Sequence, residues 1–485
     1  MNLWRLHKLP ILYALLSVLF YVVFAYDLER HELVKLCGLY AGLFLFFYKI
    51  IQTSKADFKL LLGFAILLRL VFLIATPNLS QDFYRFIWDG RMIVAGYNPY
   101  LYLPKDLIAT GSAPIAQAQE LFNGMGSLSA RNYTNYPPIN QFCFTIAGLF
   151  ASKSIVGATI VLRLLIILAD VGTIIIGKRL LEKLNLSTDH IFWFGLNPFI
   201  IIELTGNLHF EGVMIFFLLL GLYLLYQGKW GWSAIVIAAS ISVKLIPLLL
   251  LPIFFQFFTK HKVVDTIKGA INIGNEKHLI PPDSYRDSPR EEGSFFSKIL
   301  KLVAFYFIIL LSILVLFIPF LSSEFLDNYQ QTIGLWFSNF EFNASLYYIA
   351  REIGYTFRGY NEIKIIGKYI PPIAIAIVLS ITFFRNNTSL RNLITGMLLA
   401  LSCYFFISTT VHPWYIATPL LLSVFTKYRF PLVWSFVVVL SYTAYANDSF
   451  KENLWFISVE YLLVFGFFFY EVFFKKTDGL EISEG

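Results

Sequence analysis

Pro138-Ile139-Asn140-Gln141-Phe142-Cys143-Phe144-Thr145-Ile146-Ala147-Gly148-Leu149-Phe150 is an apolar run whose length sets the topology of the whole chain. It is too short to cross the hydrocarbon core, which needs about 20 residues; apolar runs of about 10–14 read as interfacial or re-entrant. Counted as a span, it would put Lys178-Arg179 outside, against the rule that basic loops stay in the cytoplasm. Residues 77–154 therefore read as one large external loop carrying two interfacial helices.

Composition supports that frame. The 485 residues are 57% hydrophobic, 18% aromatic and 14% charged, with 50 Phe. A soluble protein would carry about 25% charged residues. The chain reads as an all-α polytopic membrane protein of about 14 transmembrane helices. The net charge of +7 is no sign of nucleic acid, because the basic residues fall mainly in short loops between apolar runs. Cys37, Cys143 and Cys403 each sit in an apolar run without metal-ligand spacing, which argues against a disulfide framework. The first apolar run is followed by Asp27-Leu28-Glu29-Arg30-His31 with no small-residue cleavage site, so it reads as a retained span.

Six parts follow from the runs and the alternation of basic loops. Residues 1–76 hold N-terminal spans, 77–154 the external loop, and 155–259 a transmembrane core broken around Lys244-Leu245-Ile246-Pro247. Residues 260–298 form a cytoplasmic loop, polar and Pro-containing enough to read as disordered. Residues 299–474 hold the C-terminal spans with a second external loop at 322–363, and 475–485 form a cytoplasmic tail. Both termini lie inside on this reading.

The external loop opens on Ser80-Gln81-Asp82-Phe83-Tyr84-Arg85-Phe86-Ile87-Trp88-Asp89-Gly90-Arg91. Asp82, Arg85 and Asp89 share one helix face at i, i+3 and i+7, while Phe83, Phe86, Ile87 and Trp88 are expected to lie against lipid. Charge is costly near hydrocarbon, so two aspartates and two arginines here mark a functional site. Aromatic and basic residues also gather at interfaces as plain anchors. Four further clusters fall on the same side: Asn135-Tyr136-Pro137-Pro138; Glu203 with Asn207-Leu208-His209-Phe210-Glu211; Lys244; and His412-Pro413-Trp414-Tyr415. Each alone has a plainer reading. Tyr-Pro-Pro makes a turn, and a lone Lys244 can snorkel to the interface.

At these residues the chain resembles the GT-C superfamily of polytopic glycosyltransferases, and within it the bacterial polyprenol-phosphate-mannose-dependent mannosyltransferases. A more distant likeness is to the catalytic subunit of the first GPI mannosyltransferase. The resemblance runs in order over about residues 59–425. It rests on the Asp82–Arg91 segment, Gly96-Tyr97-Asn98-Pro99-Tyr100, Tyr136-Pro137-Pro138, Leu196-Asn197-Pro198, Gly206–Glu211, Val243–Pro247 and His412–Tyr415. The family usually carries Asp at the second acidic turn; here it is Glu211.

The resemblance implies a GT-C-type helical bundle in the bacterial inner membrane with an outward-facing site. It implies transfer of a hexose, mannose in the family, from a polyprenyl-phosphate sugar to a glycan or glycolipid acceptor, with inversion. The family's catalytic carboxylate falls at Asp82, the candidate base. Lys244, Arg91 and His412 are candidates for the lipid phosphate, and Asp89 and Arg85 are further candidate substrate-binding residues. Tyr136 joins them from the end of the same loop. Glu211 and His209 would position the acceptor or, together with Asp82, a divalent metal. Trp414 and Tyr415 offer a face for sugar or isoprenoid. No nucleotide-binding glycine motif is present. A transporter or flippase, or a polymerase, of lipid-linked saccharides is the alternative; a transporter would show paired halves, and no internal repeat is visible.

Overall fold

The structure is a computed structural model that describes residues 7–54, 57–260, 294–338, 340–446 and 451–475. Most of the expected cytoplasmic loop 260–298 and nearly all of the tail 475–485 lie outside the described residues. Within them the architecture is all-helical, save an isolated bridge between Phe342 and Thr410.

The elements used below are α1 (Lys8–Tyr26), α2 (Leu33–Thr53), α3 (Phe58–Leu70), α4 (Asp82–Val94), α5 (Ala118–Ala130), α6 (Pro138–Phe150) and α7 (Ile155–Lys183). They continue with α8 (Pro198–Gly206), α9 (Glu211–Tyr226), α10 (Trp230–Ile241), α11 (Phe295–Phe317), α12 (Ser323–Ser338), α13 (Ile363–Phe384), α14 (Leu390–Ile407) and α15 (Leu454–Phe469). Among the described residues seven helices are long and apolar enough to cross a membrane: α1, α2, α7, α11, α13, α14 and α15. The pair α8 and α9 bends through 113° and counts together as an eighth. Other apolar runs are broken into shorter helices, among them Ile246–Lys260, Pro413–Val424 and Phe430–Tyr445. Proline near their starts explains the segmentation, since it removes a donor and fixes φ.

The segment 138–150 is the 13-residue helix α6, and α4 crosses it closely. A Cβ on Gly90 would sit 2.0 Å from the Phe144 carbonyl oxygen, and one on Gly148 would sit 2.9 Å from the Gly90 oxygen. The two glycines let the backbones touch. Phe86 then stacks on Phe144 at 4.6 Å and meets Tyr136 and Phe210 edge-on. This corrects one expectation. Phe83, Phe86, Ile87 and Trp88 do not lie against lipid; all four are buried, because α4 is packed between α5 and α6. It is α6 that turns apolar side chains outward, with Phe142, Leu149 and Phe150 between 64% and 81% exposed.

Buried guanidinium groups in this half of the bundle are held by a carboxylate or by backbone carbonyls. Arg69 on α3 donates to Asp170 on α7 at 2.7 Å and to the Ala65 and Gly195 carbonyls. Arg163 on α7 donates to the carbonyls of Leu73, Thr205 and Gly206.

The α4–α6 crossing makes a direct prediction. Gly90→Ala drives a carbon into backbone that cannot move aside, so it is expected to lower the melting temperature of the detergent-purified protein sharply, the loss being about 1–3 kcal/mol or more. Gly38→Ala in α2 meets nothing within 4 Å. It should be neutral or slightly stabilising, since Ala favours a helix over Gly by about 0.5–1 kcal/mol.

Candidate active site

A cavity of about 380 Å³ opens at one end of the bundle, lined by Arg30, Asp82, Tyr136, Lys244, His412 and Tyr415 among others. These residues come from widely separated parts of the chain. Arg30 sits in the turn between α1 and α2, and Asp82 begins α4. The approach to α4 is pinned by the Leu79 amide, which donates to the Asn207 side chain at 3.2 Å. Thr332 on α12 and Phe340 after it close one wall. That wall is anchored where the Val411 amide donates to the Phe342 carbonyl and Ser345 to the Phe406 carbonyl, both at 2.8 Å.

Asp82 is half-buried and faces the cavity. Burial raises its carboxyl above the ordinary carboxylate range and Glu211 adds to the rise, while Lys244 and Arg30 oppose it. The other acids of the constellation are committed elsewhere. Asp89 is fully buried; it accepts from Arg85 at 2.7 Å and from Gln141 at 3.1 Å. Arg85 also donates to the Ser129 and Asn132 carbonyls, which fixes the end of α5 beside the cavity. Asp82, Arg85 and Asp89 thus share a face, as their spacing predicts, but only Asp82 and Arg85 reach the cavity. Arg91 does not. Its guanidinium donates to the Ala116 and Ala151 carbonyls and to Gln117, farther along α4 than the cavity extends.

The second acidic turn sits at the bend between α8 and α9. Leu208 adopts a φ of +63°, a conformation uncommon for a residue with a branched side chain. The bend turns His209 and Glu211 back under the cavity. Glu211 pairs with Lys244 at 3.1 Å; Glu211 is buried and Lys244 reaches the cavity. The carboxylate partner of Lys244 is therefore Glu211 and not Glu203. Glu203 accepts from Tyr442 at 2.7 Å and lies 3.8 Å from His209.

His209 and His412 both stack on Trp414, at 3.6 Å and 4.5 Å between ring centroids, with interplanar angles of 18° and 6°. Two nearly parallel rings that close to one indole centre cannot share a face, so they cover opposite faces. Trp414 consequently has no open face for sugar or isoprenoid, contrary to the sequence expectation. Tyr415 lines the cavity and packs on Phe405. Burial pushes the His412 imidazole down to about 3, with Lys244 and Arg30 adding to the effect, so it is neutral near pH 7. Among the described residues no three His, Cys, Asp or Glu side chains gather closely enough to hold a metal ion, and Asp82, His209 and Glu211 do not form such a set.

Several residues of the site are not legible in the motifs. Arg30 reads only as the polar flank of the first span. Tyr442 and Tyr445 are embedded in an apolar run. Arg163 carries no local signal, because its partners are carbonyls about 40 and 90 residues away in sequence.

Residues 25–260 match the family model described as alpha-(1->6)-mannopyranosyltransferase, N-terminal domain. The chain resembles the GT-C mannosyltransferases. Three curated relatives agree. Alpha-(1->6)-mannopyranosyltransferase B of Corynebacterium glutamicum is 25% identical over 176 residues, 35% of this chain and 28% of that protein. Alpha-(1->6)-mannopyranosyltransferase A of Mycobacterium tuberculosis is 24% identical over 190 residues, 39% of this chain and 35% of that protein. Alpha-(1->6)-mannopyranosyltransferase A of C. glutamicum is 25% identical over 193 residues, 39% and 36% of the two chains. The matches thus span about a third of the length of these relatives. Residues 25–260 include Arg30, Asp82, Tyr136, His209, Glu211 and Lys244; the 412–415 motif lies beyond them.

The Lys244–Glu211 pair yields a stability prediction. Lys244→Met leaves Glu211 buried without its counter-ion. The loss should fall near the lower end of the range for breaking a buried pair, about 3 kcal/mol, because Lys244 keeps access to the cavity. Adding Glu211→Gln is expected to restore most of the melting temperature. A stable single variant would mean that the pair carries little of the fold.

Proposed function

We propose that this chain is an integral-membrane mannosyltransferase that takes its sugar from a polyprenyl-phosphate donor and passes it to a glycan or glycolipid hydroxyl. The observation that carries this reading is the standing of Asp82. Of the acids gathered here, Asp89 and Glu211 are each in an ion pair, whereas Asp82 is in none among the described residues and opens on the cavity. A carboxylate that is desolvated, unpaired and accessible suits a general base.

Asp82 takes the proton of the acceptor hydroxyl. The acceptor oxygen attacks the anomeric carbon from the side opposite the phosphate, and the carbon–oxygen bond to the phosphate breaks with its electron pair leaving on the phosphate. Attack from the opposite side inverts the anomeric centre. The negative charge on Asp82 disappears as a second one appears on the phosphate, so the cavity keeps its net charge through the step. The protein's task is to hold the two substrates in line and to stabilise charge at its new position. Lys244, tied to Glu211, supplies positive potential beside Asp82. Tyr136 and Tyr415 give the cavity two aromatic walls for a sugar ring. The alternation of basic loops supports a topology in which this end of the bundle, with residues 77–154, faces outward from a bacterial inner membrane and residues 260–298 face inward.

The test is a transfer assay with a panel of polyprenyl-phosphate sugars. Wild-type protein should release free lipid phosphate only when acceptor is present, an outcome that a flippase does not give. Asp82→Asn is expected to lower transfer by at least about 10²-fold while leaving the melting temperature unchanged or raised. Asp89→Asn should act mainly on stability, through Arg85. Full activity in Asp82→Asn removes it as the base.

The pH dependence has a definite sign. A base must be ionised, and the ionised fraction of Asp82 falls as pH drops through its raised pKa. The acid limb of kcat/KM is therefore expected above the ordinary aspartate value of about 3.9. A limb at or below that value would contradict the role given to Asp82.

A further inference from the structure

The cavity holds a second cation that forms no direct ion pair among the described residues. The guanidinium carbon of Arg30 lies 3.2 Å from the centroid of the Tyr445 ring. Arg30 takes part in no ion pair among the described residues; of the acids in its own turn, Asp27 and Glu32 pair with Lys35, and in the site Asp89 pairs with Arg85 and Glu211 with Lys244. Its Nε is buried and makes no hydrogen bond, and the side chain lines the cavity together with Asp82. Lys244, on the opposite account, already neutralises Glu211 at 3.1 Å.

A guanidinium without an ion pair can be held by backbone carbonyls, as Arg163 is, but Arg30 donates to no carbonyl among the described residues, so an anion entering the cavity would meet donors that the fold leaves open. Its stacking on Tyr445 occupies a face of the planar group. The N–H donors point outward from the edge of that plane, where they match the paired oxygens of a phosphoryl group. We propose that Arg30 is the residue that binds the anionic phosphoryl group in this cavity, with Tyr445 setting its plane and Lys244 retained as the counter-ion of Glu211. The inference rests on the donor being a lipid-linked phosphate sugar. It shifts the phosphate contact from Lys244 and Arg91 to a residue delivered by the α1–α2 turn. The phosphodiester of the donor carries one negative charge and the departing lipid phosphate two, so the contact strengthens as the sugar leaves.

The experiment compares farnesyl phosphate with farnesol as ligands of the purified full-length chain in detergent, by thermophoresis. Wild type is expected to bind the phosphate at least about tenfold more tightly than the alcohol, the effect of one charge-assisted contact. Arg30→Gln should lower that ratio about tenfold with the farnesol affinity unchanged, and Arg30→Lys, which keeps the charge without the fork, should lose less. A purely structural Arg30 would move both affinities together and leave the ratio alone. Where Arg30→Gln is too unstable to assay, Arg30→Lys decides, and an unchanged ratio there overturns the proposal. If wild type discriminates and Arg30→Gln discriminates equally, only the assignment of Arg30 falls. If wild type shows no preference for the phosphate, the assignment falls together with the phosphate-linked donor.

Discussion

Arg163 spans the gap that the bend between α8 and α9 opens in the bundle. Ending a helix inside a membrane leaves carbonyls with no water to accept from, and each such group is costly to bury. Three donors of one buried guanidinium meet the Thr205, Gly206 and Leu73 carbonyls. The bend is thereby tolerated, and much of the site depends on it. Asn207 reaches from it to the Leu79 amide and fixes the entry to α4. His209 leaves it toward Trp414, and Glu211 leaves it toward Lys244. A straight helix through 198–226 would place these groups along a lipid-facing rod and could not gather them beneath one cavity.

Charge is distributed at this end by the same constraint. The low dielectric makes an unpaired ion expensive, so Arg69 meets Asp170, Arg85 meets Asp89 and Lys244 meets Glu211. Asp82 and Arg30 both border the cavity outside these pairs. They are of opposite sign, and Arg30 lowers the Asp82 carboxyl that burial raises. Neither is in an ion pair among the described residues, and on the proposed reading the one would take a proton and the other would meet an anion.

The sequence made some of this legible and hid the rest for physical reasons. The length of 138–150 was enough to identify α6 as a helix of 13 residues, because span length is a local property. The spacing of Asp82, Arg85 and Asp89 identified a shared face, because helical period is local too. What covers the other face of α4 is not local. An amphipathic helix at an interface and one sandwiched between two others show the same pattern, and only the glycines at 90 and 148 hinted at close backbone contact. Arg91 and Arg85 look equivalent in the motif. They differ because residues 129–132 end one helix beside the cavity and residues 116–117 begin it farther off. Arg30 was hidden by its setting, a polar flank of a kind that follows many first spans.

Trp414 shows how packing can invert an expectation drawn from residue type. An interfacial Trp in a sugar-handling site suggests a stacking platform, yet both faces of this indole carry imidazoles. The stack joins the α8–α9 bend to the 412–415 turn, two segments otherwise distant in sequence, and holds His209 near Glu203. Its neutral His412 ring adds no charge to the cavity at physiological pH. Trp414 therefore belongs with the framework of the site. Other aromatic residues that line the cavity, among them Tyr133, Tyr136, Tyr404 and Tyr415, remain for a ligand. Lys244 lies 5.5 Å from the Tyr136 ring centre, so one of these walls sits directly beside the Lys244–Glu211 pair.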